Sequence, residues 1–294
     1  MTDIRSLRFA GLFVLLWSTG FIGAKYGLPY APPLTFLLYR FTLAAAVMML
    51  IAFATRTAWP RSFTQVAHVA IAGWLVHGAC LGGVFVSIAG GMPAGTSAML
   101  LGLQPILTVL IARGWLGEQV VGRQFAGLVL ALAGVWFVVR HKIGFAGDWV
   151  SLGPMVVALV GLSVGTLYQK RFCSSVDLRS GTSLQFMACA LLYLPLVLWL
   201  EGAPVRWTPE FTFALAWLVL VLSVGAVSLL FWLLRRDAAS DVARLFYLVP
   251  PVTALLGWIA FAEALDASSI LGMVMIAAGV AMARPPVPEG SRGG

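Results

Sequence analysis

His77 lies near the middle of an apolar stretch, in GWLVHGACLGG. A neutral imidazole both donates and accepts hydrogen bonds, so at that depth it can hold polar groups of a small molecule or take up a proton. It can equally bond a neighbouring helix, and Gly73, Gly78, Gly82 and Gly83 around it favour close packing. Arg40, in LYRF, carries a fork that matches a carboxylate. More often such an arginine holds helix-end carbonyls or snorkels towards the interface, and that structural role is the expectation here. None of the 11 acidic residues falls in the middle of an apolar run. A permanently cationic solute normally needs a buried counter-charge, so a cation substrate and a carboxylate proton relay are both disfavoured. What remains at mid-depth is aromatic and weakly polar: Trp17, Ser18, Met99, Gln104, Ser163, Tyr168, Ser228, Trp232 and Tyr247. Together with His77 these form the candidate substrate-binding set. Their large polarizable surfaces and hydroxyls suit a zwitterion with an apolar side chain, although part of such a set packs or faces lipid.

Prolines and charged pairs frame that set. Pro105 and the pair Pro250 and Pro251 remove backbone donors inside apolar runs, which predicts kinks and candidate hinges at mid-depth. Glu118 and Glu263 close the runs that follow those prolines. A carboxylate is disfavoured at a helix C-terminus, so each is expected to cap a neighbouring helix or pair with a basic residue, Arg123 being near Glu118. Lys25 and Lys170 stand at run ends and read as interface anchors that can also meet anions. Cys80, Cys173 and Cys189 lack metal-ligand spacing and read as small packing residues. No cofactor or metal is implied.

The elements that must position these residues are membrane helices. Of 294 residues, 61% are hydrophobic and 10% charged, against about 25% charged in a soluble domain. Ten apolar runs long enough to cross a bilayer are read at roughly 8–27, 33–54, 66–89, 94–115, 121–140, 150–170, 181–200, 211–234, 240–261 and 268–284. The formal charge of +8 is scattered at the ends of these runs, a pattern of membrane topology and not of nucleic-acid binding. The first run belongs to the mature protein and not to a signal peptide, because it matches a later one. With the N-terminus in the cytoplasm, 14 of the 19 Lys and Arg residues face inward, four face outward and Arg40 lies within a run. Both termini are therefore expected on the cytoplasmic side of a bacterial-type inner (plasma) membrane.

The chain is also written twice. Ser97–Glu118 matches Val242–Glu263, with Pro105 on Pro250, Thr108 on Thr253 and Glu118 on Glu263, each 145 positions on (263 − 118 = 145). The same offset carries Ser18, Gly20 and Lys25 to Ser163, Gly165 and Lys170, Phe41 to Phe186, and Gly127 and Gly134 to Gly272 and Gly279. Residues 1–145 are thus read as one five-helix repeat, 146–284 as a second, and 285–294 as a flexible cytoplasmic tail. Five spans per repeat is an odd number, so the second repeat starts on the opposite face of the bilayer. The expected fold is all-α, ten transmembrane helices as two inverted five-helix repeats, a plan common in carriers.

Five plus five spans, Trp17–Gly20 (WSTG), LYRF at 38–41 and the proline-to-glutamate run in each half resemble the drug/metabolite transporter superfamily, specifically its EamA-type members. Within it the chain is similar to YddG-type aromatic amino-acid exporters. The resemblance implies export of small amphipathic metabolites, aromatic or other apolar amino acids, by alternating access. Carriage of another neutral metabolite stays open. An intramembrane enzyme is the rival class; HExxH, GxSxG, paired aspartates and a Walker loop are all absent from the sequence. The expected partners are a small-molecule substrate and the lipid bilayer, with no nucleic acid; a monomer is compatible with the sequence, which leaves the oligomeric state open.

Overall fold

A computed structural model describes residues 4–116, 122–139, 149–236, 245–264 and 266–282. The helices are α1 (Ile4–Gly27), α2 (Pro33–Ala54), α3 (Phe63–Gly73), α4 (Cys80–Ala89), α5 (Ala94–Leu101), α6 (Gln104–Leu116) and α7 (Gly122–Val139). They continue as α8 (Trp149–Phe172), α9 (Leu178–Leu200), α10 (Pro209–Ala216), α11 (Val227–Arg236), α12 (Val249–Phe261) and α13 (Ala267–Met282). No strand occurs among the described residues. Seven helical runs are long and apolar enough to cross a membrane, and Phe125–Phe137, Phe246–Phe261 and Ala267–Met282 are shorter apolar helices. The chain is a multi-pass membrane protein, because backbone in lipid must satisfy its own hydrogen bonds and helices do so within one segment.

Two features depart from continuous α-helix. Trp74–Ala79 joins α3 to α4, and Trp217–Ala226 joins α10 to α11, as π-helical turns. A π-turn widens the helix and leaves backbone groups for partners elsewhere. Gly73 O accepts from Cys189 Sγ at 3.2 Å and Gly78 O from Tyr193 Oη at 2.8 Å. Trp74 Nε1 also donates to Ala188 O at 2.9 Å, so α9 is bonded along the whole π-turn.

The second departure corrects an expectation. The prolines predict kinks inside continuous helices, but the chain breaks instead. α5 ends at Leu101, a turn passes Gly102 and Leu103, and α6 begins at Gln104 with Pro105 in its first turn. Pro250 and Pro251 likewise open α12, after a short 3-10 turn at Phe246–Leu248. In a first turn the missing N–H has no helical partner to lose, so restarting a helix is cheaper than bending one.

Carboxylates satisfy exposed helix starts. Glu201 accepts from the backbone of Leu34 at 2.9 Å and of Thr35 at 2.6 Å, capping α2 across the bundle. Arg123, considered as a partner for Glu118, gives its Nε–H to Met282 O at 3.1 Å. Glu118 and the tail 285–294 lie outside the described residues.

Packing follows the repeat. α2 lies against α9 and α7 against α13, each an element and its counterpart at the 145-residue offset, while α5 lies against α12, the counterpart of α6. Phe41 stacks on Phe186, its own counterpart, with centroids 6.1 Å apart. In the α7–α13 contact the backbones nearly touch: a Cβ on Gly134 would lie 2.7 Å from Gly272 O, and one on Gly279 would run into Gly127 O.

Candidate functional site

Ser18 in α1 and Ser163 in α8 hold matching positions (163 − 18 = 145), and both are fully buried. Each hydroxyl bonds its own helix one turn back, Ser18 Oγ to Val14 O and Ser163 Oγ to Leu159 O, both at 2.8 Å. Each also reaches across, Ser18 Oγ to Val249 O at 3.3 Å and Ser163 Oγ to Gln104 O at 3.4 Å. The two acceptors are again 145 apart (249 − 104 = 145), and each immediately precedes a proline that opens a helix. A hydroxyl has one hydrogen, so the long arm of each pair is the weak one. Ser18→Ala and Ser163→Ala are each expected to lower stability by about 1 kcal/mol, and to nearly equal extents. Thermal melting of the detergent-purified variants checks this; a large loss in one and none in the other would contradict the matched geometry.

Around the start of α12 the structure gathers four of the candidate residues. Trp17 packs on Phe13 at 5.3 Å and edge-on to Phe246 at 5.2 Å, beside Ser18. Met99 and Tyr247 face a largely apolar recess of about 150 Å³, walled also by Gly102, Pro250, Pro251 and Met273. At the start of α6, Gln104 Nε2 donates to Thr108 Oγ1 at 2.9 Å and Thr166 Oγ1 at 3.4 Å, next to Ser163. His77 sits on the first π-turn and shares a 3.2 Å hydrogen bond with Gln185 Oε1. Gln185 Nε2 donates in turn to Gln169 Oε1 at 3.3 Å, and the imidazole packs on Phe186 at 4.7 Å. Three candidates stand elsewhere. Tyr168 Oη bonds His68 Nδ1 at 2.6 Å beside Phe172, Trp232 packs on Phe9 at 4.6 Å, and Ser228 is exposed on α11.

An ion pair joins α1 to the segment that follows α12. Glu263 is 9% exposed; its Oε1 takes a 2.6 Å ion pair from Lys25 Nζ and the Ala94 N–H at 2.8 Å, and its Oε2 takes the Gly95 N–H at 3.2 Å. One carboxylate thus caps α5, where the helix dipole favours an anion, and neutralises a lysine of α1. Lys25 Nζ also lies 4.9 Å from the Phe261 ring centroid. Lys170 is exposed. Sequence reasoning did not find Gln169, Thr166 or Phe246; it expects Glu263 to cap a neighbouring helix or pair with a basic residue, and long-range pairing shows that the helix is α5 and the base Lys25. Among the described residues no three His, Cys, Asp or Glu side chains come together as a metal site.

Comparison with known proteins adds to this geometry. The profile of the EamA-like transporter family matches residues 6–140 and, separately, 151–284. A Bacillus subtilis protein named an uncharacterized transporter is 25% identical, covering 95% of this chain and 91% of its own. An Escherichia coli protein named "Probable amino-acid metabolite efflux pump" is 28% identical over 92% of this chain and 91% of its own. A Streptantibioticus cattleyicolor protein named "Probable terminal-alkyne amino-acid exporter" is 27% identical over 92% and 90%. A solved crystal structure, 19% identical, shares the fold with a TM-score of 0.67 over 95% of this chain and 96% of that one.

Proposed function

We propose an export function for this chain, which belongs to the EamA-like transporter family: it carries aromatic and other apolar amino acids out of the cell by alternating access. The two halves are inverted copies around a pseudo-twofold axis in the membrane plane, with both termini in the cytoplasm. The observation that carries this reading is the reciprocity of contacts between the halves. Ser18 reaches Val249 while Ser163 reaches Gln104, and Gly134 meets Gly272 while Gly279 meets Gly127. Contacts that exchange in this way are what a twofold relation produces, as at an isologous dimer interface. The two profile matches, starting 145 positions apart (151 − 6 = 145), support the same division at residues 145/146. Five spans per half then place the axis in the membrane plane, and two halves able to exchange conformations convert an outward opening into an inward one.

The substrate class follows from the residues on either side of that axis. Met99 and Tyr247 line an apolar recess with Pro250 and Pro251, Trp17 packs edge-on to Phe246, which also lines it, and the paired serines and Gln104 supply weak polar contacts. Names of the relatives that mention amino-acid efflux and export favour an amino-acid substrate. Trp17→Ala and His77→Ala are expected to reduce phenylalanine transport into proteoliposomes at least tenfold while the helical circular-dichroism spectrum stays unchanged. Undiminished transport in both variants would remove them from the site.

A further inference from the structure

Arg40 is 93% buried (7% exposed), and its Nε–H finds no hydrogen-bond partner. The stacked counterparts Phe41 and Phe186 put the proposed axis between their rings, so Arg40, one residue away, stands near mid-membrane depth. That is where an unpaired charge is most costly, and where a charged side chain is expected to meet a functional partner. Among the described residues the protein supplies none. The ion pair among the described residues joins Lys25 to Glu263, and Glu201, which caps the start of α2, is taken up by Leu34 and Thr35. The guanidinium instead lies 5.9 Å from the Phe85 ring centroid, with His77 and Cys80 as its electrostatic neighbours. Among the described residues, its expected structural task of holding helix-end carbonyls is not seen.

We infer that Arg40 receives the carboxylate of the transported amino acid, beside the hydrogen-bonded pair of His77 and Gln185. A guanidinium fork matches a carboxylate in two parallel hydrogen bonds, and an anion arriving from solution neutralises a charge that is unpaired among the described residues. The π-turn that carries His77 shifts one face of the α3–α4 helix, a feature common at functional sites. This inference rests on the carrier reading above and adds the group that distinguishes an amino acid from its uncharged derivatives.

The test uses the full-length protein in proteoliposomes, with labelled phenylalanine as substrate and unlabelled phenylalanine or phenylalaninamide as competitor. In the wild type the acid is expected to compete at least tenfold better than the amide. Arg40→Gln is expected to raise the KM for phenylalanine at least tenfold while leaving the inhibition constant of the amide unchanged. Arg40→Lys, which keeps the charge and loses the fork, is expected to fall between them and decides the matter if the glutamine variant does not fold. Equal competition by acid and amide in the wild type overturns the inference and leaves the carrier standing; so does an acid preference retained in a folded Arg40→Gln variant, or an unaltered KM in Arg40→Lys. Wild-type vesicles that take up no amino acid overturn the carrier reading, and the inference falls with it.

Discussion

Glu263→Gln is expected to slow transport at least tenfold and to increase access from the outer face. The carboxylate is 9% exposed and makes three contacts at once, with Lys25 Nζ at 2.6 Å and with the N–H groups of Ala94 and Gly95. Lys25, Ala94 and Gly95 belong to the first half and Glu263 to the second, so this one side chain ties the halves together at what the proposed topology makes the outer end. Glutamine keeps the shape and one acceptor, but it leaves an ammonium facing a neutral amide. Removing one partner of a buried pair costs about 3–5 kcal/mol; the 30% exposure of the Lys25 side chain reduces this to about 2 kcal/mol, roughly thirtyfold in an equilibrium. If the outer end must open once per cycle, that energy moves the population towards the outward-open form. A cysteine at Met92, which is buried beside the α5 start, should then react faster with an impermeant thiol reagent added outside. Lys25→Met should have a smaller effect, because Glu263 keeps both backbone N–H bonds. Unaltered labelling in Glu263→Gln would remove this contact from the cycle.

Gly134→Leu and Gly279→Leu are expected to yield no folded protein. These glycines face each other's half across the α7–α13 contact. A Cβ at Gly134 would stand 2.7 Å from Gly272 O and 2.9 Å from Ile276 N, and at Gly279 it would stand 2.7 Å from Ala131 N. Backbone atoms cannot turn aside as a side chain can, so the helices must separate. Small residues are what lets membrane helices approach this closely. Even Gly134→Ala should be destabilising by about 2 kcal/mol, the overpacking outweighing the roughly 1 kcal/mol that alanine gains in helix propensity. Gly11 and Gly153 are also helical, yet a Cβ at either meets nothing within 4 Å. Alanine there should be neutral or slightly stabilising. Thermal melting separates the two groups, and equal behaviour at all four positions would refute the packing argument.

The proposed repeat rests on marks that are covalent, prolines, serines, glycines and glutamates at one fixed offset, and the helices on apolar length. The helix breaks were less legible. Pro105 and Pro250 announce a missing donor, but whether a chain bends or restarts depends on Gly102 and on the 3-10 turn at Phe246–Leu248, which packing selects. The π-turns have no sequence mark at all, since Cys189 and Tyr193 stabilise one of them from across the bundle. For the candidate site, residue type at mid-depth found Trp17, Ser18, Met99 and Tyr247 together, but periodicity does not say which face of a lipid-bathed helix turns inward. Hence Tyr168 is found with His68, Trp232 with Phe9, and Ser228 on an exposed face. Arg40 illustrates the same limit: its place within an apolar run is readable, its lack of a partner among the described residues is not.

Counterflow in proteoliposomes tests the central claim most directly. Vesicles containing only this protein are loaded with unlabelled phenylalanine and diluted into a trace of labelled phenylalanine. A carrier whose single site faces one side at a time must return loaded, so labelled substrate should accumulate transiently above the outside concentration and then decay. Saturable uptake with that overshoot is the predicted result. Label that only equilibrates, at a rate proportional to concentration and indifferent to internal phenylalanine, would contradict it.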